Sequence, residues 1–187
     1  MAGFAAIADV GETLKKLLQE GMDTAFGTGE VTVTLDSPKK IEDDSQSEDK
    51  LLSFFLYRVT ENADLKNQPP FPVSSTEIKP RPLSIDLHYM MTAYGADEDN
   101  RSRIFGRGMQ ILFETSILQG ALLQKQLSGS SEEFRITFNP LPQETVAQIW
   151  QGLEASMRVT GFYLVSPVLI EPEAIPSAAR IKHRELR

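Results

Sequence analysis

Two histidines, His88 and His183, and no cysteine are all that this 187-residue chain offers toward the commonest nucleophile and transition-metal chemistry. A hydrolase triad or a zinc site draws on His and Cys, so any metal would have to rest largely on carboxylates. Two acidic stretches could supply them, Glu42-Asp43-Asp44 with Glu48-Asp49, and Asp97-Glu98-Asp99-Asn100. A calcium loop alternates its ligands around a glycine. Neither stretch does, and both read as solvated acidic loops. Gly27-Thr28-Gly29 precedes an expected strand, the wrong order for a phosphate cradle, and Gly106-Arg107-Gly108 lacks the lysine and hydroxyl that end a P-loop. Close helix packing at Gly106 and Gly108 is the better account. No Gly-x-Ser-x-Gly elbow occurs. His88 stands alone on a strand, where an imidazole reads as a hydrogen-bonded rim residue, and His183 sits among cations. No catalytic, cofactor-binding or metal site is expected.

The elements that position these residues are legible from periodicity. Phe4, Ile7, Val10, Leu14, Leu17 and Leu18 form one apolar helical stripe, with Gly21 as the expected stop. Val31 to Leu35 reads as a strand ending at Asp36-Ser37-Pro38. Residues 39–50 are charged almost throughout and read as a solvated loop. Leu51 to Asn67 reads as a long strand closed by the polar run Tyr57 to Asn62, and a proline-rich connection with Pro69, Pro70 and Pro72 follows. From Pro82 to Tyr94, Leu83, Ile85, Leu87, Tyr89, Met91 and Ala93 alternate with more polar residues, the pattern of a strand with one drier face. Ile104, Gly108, Ile111 and Leu112 mark a helix behind the acidic turn at Asp97. Ile117 to Leu123 is a short apolar segment, Phe134 to Phe138 an alternating strand, and Val146, Ile149, Trp150 and Leu153 a helix introduced by Pro140 and Pro142. Trp150 reads as a core anchor. A last strand is expected from about Met157 to Ile170.

Strands joined without a crossover helix, between helices, predict an α+β fold with a mixed, mainly antiparallel sheet flanked by helices, placed on one face. At 41% hydrophobic and 24% charged residues the chain is ordinary globular material, long enough for one domain, expected over residues 1–170. A net charge of −7 without a basic stripe argues against a nucleic-acid partner. The N-terminus lacks a basic leader, and no apolar run approaches the roughly 20 residues that span a bilayer, so no direct membrane insertion is expected. Residues 171–187 change character. Arg180, Lys182, Arg184 and Arg187 against Glu185 give residues 180–187 a net +3, which leaves −10 for residues 1–179. The prolines and the charge split predict an extended C-terminal arm that docks on a neighbour, although a frayed terminus fits the composition too.

Taken in order, the blocks Leu51 to Asn67, Pro82 to Tyr94, Ile149-Trp150 and Tyr163 to Ile170 resemble the cap proteins that terminate phage-tail-like extracellular contractile injection systems, of the antifeeding-prophage and virulence-cassette type. The resemblance covers most of residues 5–170. Adjacent prolines often precede the second block in that family, where this chain separates Pro80 and Pro82 with Arg81.

The resemblance implies a structural protein with no cofactor. Six copies would form a homohexamer on the last layer of the inner tube, distal to the baseplate, and meet the last layer of sheath protein. Assembly would take place in the cytoplasm, within a particle that can be released from the cell. Arg58, Glu61, Asn62 and Asn67 match polar positions of the family's first block, and either shape the turn or face a partner. In the arm, Pro172, Ile175, Pro176, Arg180, Ile181, Lys182 and Arg184 are the expected partner-binding residues. A baseplate or adaptor component of the same machine is the runner-up, and a stand-alone enzyme the remote one, to be revived by His88 within hydrogen-bond reach of Asp86 or Glu61.

Overall fold

A computed structural model describes residues 3–46, 49–66, 71–72, 78–79 and 81–172. Helix α1, Ala6–Phe26, buries Val10, Leu14, Leu18 and Met22 along one stripe. It runs through Gly21 and stops at Gly27, whose φ of 102° lets its N–H bond back to the carbonyl of Asp23. Gly21 is therefore no stop. Its missing side chain admits Ile111, with which any Cβ there would collide. Phe4, expected on the stripe, lies before the helix and is 90% exposed.

The chain then forms β1, Thr32–Thr34, helix α2, Pro38–Asp43, and β2, Leu51–Glu61. The sequence reading had no helix here. Because β1 pairs with β2 in parallel, the link must cross over. Ser37 caps the Lys40 N–H, Pro38 pre-sets the first turn, and Ile41 is buried against Leu51 and Tyr94. One apolar side chain in a charged run is enough to dock a single turn.

Two-residue strands β3, Phe71–Pro72, and β4, Ile78–Lys79, pair with each other before β5, Leu83–Tyr94. Helix α3, Glu98–Glu114, is capped by Asp97 and buries Ile104, Gly108, Ile111 and Leu112, the four residues the sequence singled out. An edge strand β6, Ile117–Gln119, two 3-10 turns and β7, Glu133–Phe138, follow. Helix α4, Gln143–Leu153, and β8, Thr160–Ile170, complete the described chain.

Six strands make one sheet in the order β1-β2-β5-β8-β7-β6, antiparallel except for β1 with β2. The fold is α+β, as the sequence predicts. Helices flank both faces, however, rather than one. α1 and α3 bury Phe54, Leu87, Tyr89, Met91 and Tyr163, while α4 seats Trp150 on Met90 and Phe162 on the opposite side. This is why β5 is buried on both faces from Tyr89 to Tyr94 and carries no dry and wet side there. Gly108 brings α3 down onto the sheet, where an added Cβ would stand 2.8 Å from Met91 Sδ. Gly106 has no such neighbour, and the packing role expected for it fails.

The β1 edge is closed by a side chain. Gln19 of α1 donates through Nε2 to the Val31 carbonyl at 2.9 Å and accepts the Val33 N–H at 2.8 Å, filling the place of a further strand. Gln19→Leu removes both partners from backbone groups near the core and should cost about 1–3 kcal/mol of stability in urea unfolding. A change within about 0.5 kcal/mol, the range of ordinary surface substitutions, would remove Gln19 from this role.

Candidate functional site

The sheet presents two contrasting ends. At the end of β2, Asn62 is buried and bonds its N–H to the Ser84 carbonyl at 2.9 Å. Its Nδ2 donates to Asp86 Oδ1 at 2.8 Å and to Ser166 Oγ at 3.1 Å, and the Ser166 hydroxyl donates to the same Asp86 oxygen. The other half of the amide accepts the Leu65 N–H at 2.9 Å, which fixes the turn. One side chain thus ties β2, β5 and β8 together beside an irregularity between Ile85 and Leu87, where the shifted register turns Asp86 toward Asn62 and Ser166. Arg81, where the chain departs from the adjacent-proline pattern, donates to the Leu65 carbonyl at 3.4 Å and braces that turn.

The other polar residues of this block face outward. Arg58 is exposed and registers with His88, and Glu61 is exposed and pairs with Lys66 at 3.1 Å. Asn67 lies outside the described residues. Nε2 of His88 is within 2.8 Å of the Thr60 hydroxyl. Partial burial, then the nearby Arg58 charge, lower its pKa from the ordinary 6.5, with Asp86 opposing. His88, Asp86 and Glu61 therefore belong to three separate networks and form no acid–base pair. A shallow cavity of about 420 Å³ beside this end is lined by Asn62, Asp64, Arg135, Thr137 and Ser166.

At the opposite end the chemistry is apolar. A cleft of about 460 Å³ lies between the first turns of α3 and the segment leading into β8, lined by Glu98, Arg101, Phe105, Gly106, Met157, Arg158 and Val159. The Arg158 guanidinium lies over the Tyr94 ring at 4.9 Å, and the Glu42 carboxylate stands 4.0 Å from its Nε. Glu42 also accepts the Ser156 N–H at 3.1 Å, so a residue read as part of a solvated loop pins the cleft wall. Met157 and Val159 are 57% and 69% exposed, and Phe138 and Phe113 are further exposed apolar residues at 49% and 84%. Met157, expected in the last strand, lies before β8 and lines the cleft, whose one sequence signal is Gly106 beside Phe105 in a helix whose contact glycine is Gly108.

Elsewhere the acidic candidates are spent on structure: Asp43 pairs with Lys39 at 3.0 Å, Asp97 caps α3, and Asp99 pairs with Arg103 at 2.7 Å. Among the described residues no three His, Asp or Glu stand where they could hold a metal ion, and no helix is long and apolar enough to cross a membrane. Pro172 is half-buried at the end of the described chain. Ile175, Pro176, Arg180, Ile181, Lys182 and Arg184 lie outside the described residues.

The model of the Pvc16 N-terminal domain family matches residues 9–183. Two solved structures share the fold. One is the sheath/tube terminator, in the extended state, of an extracellular contractile injection system, PVC, with a TM-score of 0.65 and 19% identity over 97% of this chain and 62% of that one. The other is the tube-terminating cap of the anti-feeding prophage, with a TM-score of 0.64 and 19% identity over 96% of this chain and 60% of that one. The chain thus spans about three fifths of the length of these structures. No curated protein matches it.

The geometry separates the turn-shaping Asn62 from the outward-facing Arg58. Asn62→Leu strands a carboxylate and a backbone N–H and should cost about 2–4 kcal/mol. Arg58→Ala should stay within about 0.5 kcal/mol. Thermal and urea unfolding of both variants read this directly, and equal losses would contradict the inward and outward assignment.

Proposed function

Because the chain belongs to the Pvc16 N-terminal domain family, we propose that it is a structural cap, which ends the inner tube and sheath of a contractile injection particle at the end distal to the baseplate. The observation that carries this is the fold match, which takes in nearly the whole chain against two terminators. The sequence agrees with it block by block. The chemistry is that of contact: the polar groups at one end of the sheet are engaged with each other, and the apolar surface at the other end has no cofactor-like constellation beside it.

Six copies form a ring on the last tube layer in this reading. A growing tube offers groups ready to accept the next layer, and growth stops when a different protein satisfies them and presents a face that cannot be copied. Closing the β1 edge with Gln19 suits that task, because a blocked edge does not template another strand. A body at −10 repels further stacking, and the cationic residues 180–187 reach the sheath. Assembly takes place in the cytoplasm, and the cap leaves with the particle.

Cells lacking the protein should make tubes and sheaths of irregular length with baseplates unchanged, and mass measurement on capped tube ends should give six copies. Particles of normal length and yield would sink the cap reading and favour a baseplate or adaptor role. For the arm, removing residues 178–187 should leave the domain folded and weaken co-sedimentation with sheathed particles, and raised salt should weaken retention of the intact chain. Full retention of the shortened chain at low and high salt would leave the cationic end without a docking role.

A further inference from the structure

Gly106 is the feature of α3 that the fold leaves unexplained. A glycine inside a helix is unfavourable relative to alanine. Gly108 has a reason in its close approach to Met91, whereas nothing lies within 4 Å of the place a Gly106 Cβ would take. What Gly106 does is keep the floor of the 460 Å³ cleft open. The walls from Phe105, Met157 and Val159 are apolar, Arg101 in the lining is paired with Glu98 at 2.6 Å, and Arg158 has the Glu42 carboxylate 4.0 Å from its Nε, beyond hydrogen-bond distance. Arg158 Nε is buried yet makes no hydrogen bond among the described residues. A cleft of this size and character fits a short segment with an apolar side chain close to a carboxylate.

The chain carries such a segment directly beyond its described part, in the sequence Glu173-Ala174-Ile175-Pro176. We propose that residues 173–176 of a second copy dock in this cleft, with Ile175 against Phe105 and Val159 and Glu173 toward Arg158. The same residues of the same copy are too far away. The cleft lies at the start of β8 and the chain leaves from its end, and the 11 residues of that strand put about 33 Å between them. The five residues from Glu171 to Ile175 span at most about 18 Å when fully extended. The contact therefore joins the start of one copy's β8 to the end of the next copy's, a head-to-tail interface that repeats until a ring closes. Pro172 and Pro176 narrow the unbound conformations of the segment, which lowers the entropy lost on docking. The two halves of the arm then have separate work, with residues 173–176 joining copies and the cationic end free for another partner. This deepens the cap reading by saying how the copies are linked.

The absence of cysteine makes the test clean. Full-length Gly106→Cys and full-length Ile175→Cys are mixed at high concentration under mild oxidation and run on non-reducing gels. The expected result is a covalent heterodimer with masses from both variants, lost when Gly106→Cys is mixed instead with Arg184→Cys. In a second arm, Gly106→Leu puts a side chain into the cleft from a position whose Cβ has no neighbour within 4 Å. It should reduce self-association of the otherwise unaltered chain about tenfold in sedimentation, the usual effect of blocking a central apolar anchor, while its melting temperature is unchanged or raised. No heterodimer from the first pair, equal cross-linking of the Arg184→Cys control, or unchanged self-association of a folded Gly106→Leu chain would overturn the proposal. A double variant, Gly106→Cys with Ile175→Cys, that closed only within one chain would show the segment folding back on its own copy and overturn it too. None of these outcomes depends on particle length, so the cap reading stands or falls separately.

Discussion

A row of aromatic rings across four strands sets the geometry on which the rest of the fold depends. Phe54 of β2 stacks on Tyr89 of β5 with centroids 4.8 Å apart, Tyr163 of β8 tilts against Phe54 at 5.9 Å, and Phe138 of β7 meets Tyr163 edge-on at 5.4 Å. Each pair contributes about 0.5–1.5 kcal/mol beyond its buried area. Its larger effect is on register, because a slip of one residue would turn every ring to the other face. The helices answer to this row. α1 passes over it with Gly11 opposite the Tyr89 hydroxyl, and α3 comes down through Gly108 onto Met91 and Leu52. Burial pushes the Tyr163 pKa up to about 12, so the row stays uncharged at any ordinary pH.

The same placement of α3 leaves one of its flanks without cover. Ile104, Ile111 and Leu112 are spent on the core, while Met109 and Phe113, one turn apart, are exposed at 37% and 84%. At Gly161 an added Cβ would touch both Phe105 and Phe138, so apolar side chains from helix and sheet come together there.

How much of this could be read from the sequence follows from which signals are local. The four buried residues of α3, the alternation of β7 and the amphipathic α4 with Trp150 are periodic, and the structure has them where periodicity puts them. α2 was missed because its charged run reads as a solvated loop, although Ser37 and Pro38 at its start are local helix signals; the parallel pairing of β1 with β2 is what calls for a crossover there. Gly21 and Gly27 look alike in sequence. One is small because Ile111 needs the space and the other is permissive because φ is 102°, and only the packing tells them apart. Asn62 was legible as important from its place in the first block, but its alternatives could be resolved only by the positions of Asp86 and Ser166, 24 and 104 residues away. Arg58 and Glu61, close by in the same block, turn outward instead, which no local rule distinguishes.

A terminating subunit has to be asymmetric, since a surface able to bind its own kind in every direction would prolong the tube. Under the proposed cap reading, that asymmetry lies in the two ends of one sheet and in its closed β1 edge. Asn62, Asp86 and Ser166 satisfy one another at the end where β2 closes and β8 finishes. At the other end, exposed Met157 and Val159 beside an open cleft leave free energy to be gained by covering them. Across the sheet, Gln19 closes the β1 edge with an amide borrowed from α1. A head-to-tail contact between unlike ends can repeat around a ring without repeating along the axis. Under the proposed cap reading, growth sideways to closure and arrest lengthwise would be two consequences of one such contact.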